Sequence, residues 1–192
     1  MARLKTQTKE LAILDAASRV FAARPFHEVL IDTIAAEAGT GKGTIYRYFE
    51  TKEELYSATV LHVVESLAGE LEHRTRDESS ATRRLEAIAT LILDRFWERR
   101  YLLPFFQPDE RFPALEAELV RRREPILRVV QEVILAGIEQ REFRGIDARI
   151  GADLFLGMVR SMNLFHRSDD RLEDLVAQLM GVFVEGAGRR EQ

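Results

Sequence analysis

The residues best equipped for chemistry lie close together. Lys42, Gly43, Thr44, Tyr46, Arg47, Tyr48 and Lys52 place long hydrogen-bonding side chains within one short stretch. Phosphates and base edges call for such groups, and Gly43 leaves backbone accessible where a sugar-phosphate chain approaches. Elsewhere the chemical inventory is thin. His27, His62, His73 and His166 stand far apart, without metal-ligand spacing. There is no phosphate-cradling glycine loop and no nucleophile elbow. The carboxylates interleave with arginines, as solvated ion pairs do. With no cysteine in the chain, thiolate sites and disulfides are excluded. No catalytic residue, metal or cofactor is expected, and the protein does not read as an enzyme.

The elements around that stretch read as helices. Leu11, Leu14, Ala17, Val20 and Phe21 recur every three or four residues and predict a helix over about 6–23, stopped by Arg24-Pro25. A short helix is expected over 32–38, with Ile34, Ala35 and Ala38 inward. Gly39 offers the positive φ of a sharp turn. A third helix over 42–49 would bury Ile45 and Phe49. Thr51 and Glu54 match a capping box that opens a fourth, to about residue 74. Two short helices separated by a glycine turn are the parts of a helix-turn-helix, whose second helix enters the major groove. On spacing alone a second reading stands beside it, a surface helix with snorkelling tyrosines. After a polar linker at 74–80, helices are expected near 81–100, 112–122, 125–142, 147–166 and 170–187. Pro113 and Pro125 suit first-turn positions.

The chain has 192 residues, 46% hydrophobic and 31% charged, with a net charge of −4. That balance argues against disorder and, at face value, against a nucleic-acid partner. The charge is unevenly spread, however. Residues 1–60 carry 8 bases and 8 acids, while 61–192 carry 20 bases and 24 acids. The acid excess thus lies wholly outside the cluster around Lys42. No apolar run reaches membrane-spanning length, and the polar N-terminus does not read as a secretion signal. A cytoplasmic protein with no membrane partner is the expectation. Arg3, Lys5 and Lys9 read as a solvated terminus or as an arm touching phosphate or minor groove.

The run Ile34 to Leu55, with Ala-Gly, then Lys-Gly-Thr-Ile-Tyr-Arg-Tyr-Phe, then Thr-Lys-Glu-Glu-Leu, resembles the DNA-binding domain of TetR-family transcriptional regulators. The resemblance implies an all-α fold, with an N-terminal three-helix DNA-binding domain (1–51) followed by an antiparallel helical-bundle effector-binding and dimerisation domain (52–192). It implies a homodimeric repressor that binds double-stranded operator DNA and usually a small effector. By position, Lys42, Gly43, Thr44 and Tyr46 match the family's recognition-helix contacts. Tyr48 and Lys52 match phosphate contacts, and Arg47 matches more loosely. Three positions depart from the pattern. Leu30 stands where a capping Thr or Ser is frequent, unless Asp32 caps a later-starting helix. Asp32 itself sits at a base-contact position, where a carboxylate repels phosphate or accepts from a cytosine amine. Gly41 replaces a common Ser or Ala. These departures carry the alternative, a helical ligand-binding or interaction protein with weakened specific DNA recognition.

The last two helices are apolar around more than one face, which is more than a single packed neighbour covers. Along 147–166, Ile150, Leu154, Met158 and Phe165 form one stripe, and Phe155, Val159 and Met162 form the next. The expected dimer interface is Phe155, Val159, Met162, Leu175, Leu179, Val182 and Phe183, a four-helix contact about a two-fold axis. The alternative is burial inside the chain's own domain. An aromatic concentration, Phe96, Trp97, Tyr101, Phe105 and Phe106, together with His62, Met158 and Met162, is the candidate pocket for an apolar or amphipathic effector. Plain core packing is the competing explanation. Arg95, Asn163 and His166 are possible orienting groups. The triplet Arg121-Arg122-Arg123 reads as a solvated face balanced by Glu116, Glu118 and Glu124.

Overall fold

Apolar residues at helical spacing, broken by Gly and Pro, dictate a chain of helices, and the computed structural model is all-helical. It describes residues 2–97, 112–165 and 171–187. The helices are α1 (Ala2–Ala23), α2 (Ile31–Glu37), α3 (Lys42–Tyr46), α4 (Lys52–Thr75), α5 (Ala81–Trp97), α6 (Pro113–Arg122), α7 (Glu124–Glu139), α8 (Ala148–Phe165) and α9 (Leu172–Ala187). A 3-10 turn, Phe26–Glu28, follows α1.

The chain divides into two compact units, residues 1–65 with 98–122, and residues 66–97 with 123–192. The first unit thus extends past residue 51 into α4. The reason is the apolar face of α4: Leu55, Tyr56, Val60 and Val63 are buried, as are Ile13, Ala17 and Phe21 of α1. Tyr56 meets Phe21 edge-on at 5.0 Å, Phe26 at 5.1 Å and Phe112 at 5.1 Å. Leu11, expected on the inward stripe of α1, is 48% exposed, because Ile13 and Ala16 hold the buried side instead. Helix α1 runs back to Ala2, so the backbone around Arg3 and Lys5 is helical rather than an extended arm.

In the second unit, α5, α7, α8 and α9 pack on one another. Helix α7 approaches closely at two glycines. A Cβ on Gly137 would lie 2.3 Å from the Phe143 ring, and one on Gly151 of α8 would lie 3.2 Å from Ile134 of α7. Helix α7 stops at Glu139, earlier than the periodicity suggests. Arg141 adopts φ 64°, and the amides of Glu142 and Phe143 turn back onto the Gly137 carbonyl.

That reversal delivers the Glu142 carboxylate to the start of α5. It accepts from the amides of Ala81 (3.0 Å) and Thr82 (2.8 Å) and from the hydroxyls of Thr82 (2.7 Å) and Ser80 (3.1 Å). An anion here satisfies orphan donors at the positive end of the helix. Burial pushes the Glu142 carboxyl up, but the hydrogen bonds from Thr82, Ala81 and Ser80 together outweigh it and hold its pKa below the ordinary 4.5. A group ionised more readily when folded stabilises the fold above its unfolded pKa, and that contribution fades as pH falls through the folded value. Glu142→Ala is expected to cost about 1–2 kcal/mol at neutral pH. The loss should shrink in acid below pH 4.5. Urea titrations at several pH values test this; a loss independent of pH would show that the charge is not the source.

Candidate nucleic-acid interface

Helix α2 starts at Ile31 with Leu30 as its N-cap, and no side chain caps it. Asp32 therefore does not take over as cap; it lies in the first turn of α2. Ile31, Ile34 and Ala35 are buried, while Ala38 is only half-buried. Gly39 adopts φ 58°, the left-handed geometry expected of the turn. Helix α3 spans only Lys42–Tyr46, rather than 42–49, because the amides of Arg47 and Tyr48 bond three residues back, to Thr44 (3.2 Å) and Ile45 (2.9 Å). Ile45 and Phe49 are buried and fix the helix from below.

That anchoring leaves one side of α3 outward. Lys42, Gly43 and Tyr46 are exposed, and Tyr46 retains 43% of its surface. A Cβ added at Gly43 would meet no neighbour, so its backbone is open to a close-approaching strand. Thr44 and Tyr48 are half-buried. Arg47 is exposed, its guanidinium 5.8 Å from the Tyr48 ring centre. Lys42 Nζ donates to Asp32 Oδ2 at 3.0 Å. This bond, then the Coulombic attraction of Asp32, raises the Lys42 pKa and keeps its ammonium charged.

Helix α4 opens with the expected Thr51 cap: Thr51 Oγ1 accepts from the Glu54 amide at 3.0 Å. The Glu54 carboxylate reaches one residue further back than a standard box and accepts from the Glu50 amide at 2.6 Å. Lys52 sits in the first turn, half-buried, its ammonium 4.4 Å from the Phe26 ring centre. Burial lowers its pKa, against a smaller opposing pull from Glu53. The aromatic cluster thus holds Lys52 by a cation-π contact at the positive end of α4, where an anion is favoured.

The other sequence candidates fall in separate places. His62 pairs with Asp15 at 2.8 Å within the first unit, and Phe96 is buried in the second. Trp97 ends α5, but its side chain lies outside the described residues, as do Tyr101, Phe105, Phe106 and His166. Arg95 pairs with Glu70 and donates to Ser66 at 3.2 Å. Asn163 is buried, and its amide donates to the Val159 carbonyl at 3.3 Å. Met162 is half-buried. The arginine triplet is paired: Arg121 with Glu118, Arg122 with Glu118 and Glu65, and Arg123 with Asp153.

The expected dimer residues need correction. Phe155, Val159, Leu175, Leu179 and Phe183 are all buried in the chain's own core, with Phe155 and Phe183 meeting edge-on at 5.2 Å. Of the interface set only Val182 is strongly exposed, at 66%. The outward stripe is the other one: Ile150 (60%), Leu154 (62%) and Phe165 (78%). Ile150, Leu154, Met158 and Val182 line an apolar cleft of about 420 Å³, with Arg144 and Asp147 as its charged members. Met158 therefore lines this cleft on α8 and α9. Among the described residues, no His, Cys, Asp or Glu group is arranged to hold a metal, and no helix is long and apolar enough to cross a membrane.

Comparison with known proteins bears on the exposed side of α3. Residues 13–59 match the profile of bacterial regulatory proteins of the tetR family. Over 172 residues the chain is 24% identical to the fatty acid metabolism regulator protein of Bacillus subtilis, covering 88% of this chain and 89% of that protein. Its fold is similar to that of the transcriptional regulator FadR from Bacillus subtilis, solved in complex with stearoyl-CoA (TM-score 0.75, 20% identity, 92% of this chain and 98% of that one). It is also similar to AibR in complex with isovaleryl coenzyme A and operator DNA (TM-score 0.65, 23% identity, 91% and 97% covered). The matched span runs across the helices that carry Lys42, Tyr46 and Lys52, so residues 13–59 carry the helix-turn-helix module of the tetR family of bacterial regulatory proteins.

Proposed function

We propose that the protein is a homodimeric repressor that an acyl-coenzyme A thioester, or an amphipathic molecule like it, releases from its operator. The observation that carries the DNA half of this reading is the outward side of α3, where Lys42, Gly43 and Tyr46 stand clear of the core. We assign phosphate binding to Lys52, Tyr48 and Arg47, and base contacts to Lys42, Thr44 and Tyr46. The dimer is assigned to the outward stripe of α8 with Val182 of α9, an apolar surface of the kind monomers rarely leave open. Two copies about a two-fold axis would set two recognition helices at half-site spacing. The effector class is supported by the acyl-coenzyme A complexes of FadR and AibR. We place its acyl chain in the apolar interior of the second unit, where Phe96 lies. An effector that binds one conformation more tightly shifts the dimer away from the spacing that fits the operator.

The test is a footprint on DNA upstream of the protein's own gene, repeated with long-chain acyl-CoA, short-chain acyl-CoA and free coenzyme A. A protected site that an acyl-CoA abolishes, and free coenzyme A does not, supports the proposal. A footprint that acyl-CoA strengthens would reverse the direction of control. Ligand binding with only sequence-independent DNA affinity would favour a helical ligand-binding protein instead.

A further inference from the structure

Stability gives little reason for the carboxylate beside the recognition helix. Asp32 is 67% exposed and Lys42 50% exposed, and an ion pair between such side chains adds little to a fold. Phosphate attraction gives a reason against it, since a carboxylate near a polyanion weakens binding to every sequence. Yet the 3.0 Å bond to Lys42 puts this carboxylate at the first residue of α3, the end from which a helix-turn-helix reads bases. There it presents an acceptor directly beside a donor.

That arrangement has a matching partner in the major groove. A G·C pair shows two neighbouring acceptors, guanine N7 and O6, and then one donor, the cytosine N4 amine. An ammonium on guanine and a carboxylate on the cytosine amine satisfy all three. An A·T pair interleaves its donor between two acceptors, so the carboxylate meets the thymine O4 lone pairs or loses its donor. We propose that Asp32 is a specificity-determining residue: with Lys42 it reads one G·C pair in each operator half-site, and it suppresses binding to other sequences. This rests on the operator-binding reading above.

The experiment is selection from a random duplex library, followed by binding titrations, with the full-length wild type, D32A, D32N and K42A. Both side chains are exposed, and unchanged thermal midpoints will confirm that the variants fold. The wild type is expected to select a motif with a G·C pair whose replacement weakens binding about tenfold. D32A should bind random duplex roughly threefold more tightly. At that pair its discrimination should fall to about twofold or less. D32N should move the preference toward A·T, because a carboxamide pairs with adenine N6 and N7. K42A should lose the guanine preference at the same pair. If D32A selects the wild-type motif with undiminished discrimination, this inference is overturned and the operator-binding reading stands. If the wild type itself selects no motif, both fall.

Discussion

Leu154→Asp is expected to leave a folded chain that sediments as a monomer and binds operator about 10²- to 10⁴-fold more weakly. Leu154 is 62% exposed, between Ile150 at 60% and Phe165 at 78% on the same stripe of α8, with Val182 of α9 exposed at 66%. In the free chain an aspartate there stays in water, so folding should change by no more than about 0.5 kcal/mol. In a dimer it would be desolvated against the partner's apolar stripe without a counter-charge, a cost that dissociates a modest interface. The drop in operator affinity follows from losing the second reading head, since linkage of two heads raises avidity by that range. Sedimentation and operator titration check both halves. A variant that remains dimeric and binds operator normally would remove this stripe from the interface. Leu154→Met, which keeps the apolar surface, should behave as wild type.

The neighbouring substitution should do the reverse. Phe155→Ala is expected to cost about 3–5 kcal/mol of folding stability, because it empties a fully packed site. Phe155 has no exposed surface and meets the Phe183 ring at 5.2 Å, while Phe183 meets Phe143 at 6.4 Å. Losing the Phe155 ring takes away one of the two aromatic partners of Phe183, and small domains hold only about 5–15 kcal/mol in total. The measurement belongs on the Leu154→Asp background, where dimerisation no longer contributes. Chemical denaturation there should show the full loss at every protein concentration. A loss under about 1 kcal/mol would mean that Phe155 serves an interface rather than the core.

These two positions show what periodicity can and cannot resolve. An apolar wheel on α8 announces two buried faces, and the sequence supports that much. Which face meets the chain's own helices depends on close approach. A signal was present: Gly151 and Ala152 share the Phe155 face, and small residues mark where a neighbouring helix comes near. In the fold both are buried, and a Cβ on Gly151 would lie 3.0 Å from Ile146 and 3.2 Å from Ile134. The larger residues Ile150, Leu154 and Phe165 were left to face outward. His62 and Phe96 are both on apolar stretches, but His62 belongs to the first compact unit, where Asp15 holds it, and Phe96 to the second.

The local chemistry of the reading head was legible from residue order because it is local. The positive φ of Gly39, the Thr51 cap on the Glu54 amide, and the buried Ile45 and Phe49 each depend on partners within a few residues, so spacing is sufficient to specify them. The same holds for the outward Lys42, Gly43 and Tyr46, which follow once Ile45 faces inward. Contacts across large sequence separations were different in kind. The Asp32–Lys42 bond, the Lys52–Phe26 stacking and the Glu142 clamp on α5 join residues that no periodicity links. They exist because helix packing brings helix ends and turns together, and that geometry is a property of the packed unit. A helix's hydrophobic pattern states how much surface it must bury; only the placement of its neighbours settles which surface remains to meet DNA or a second copy.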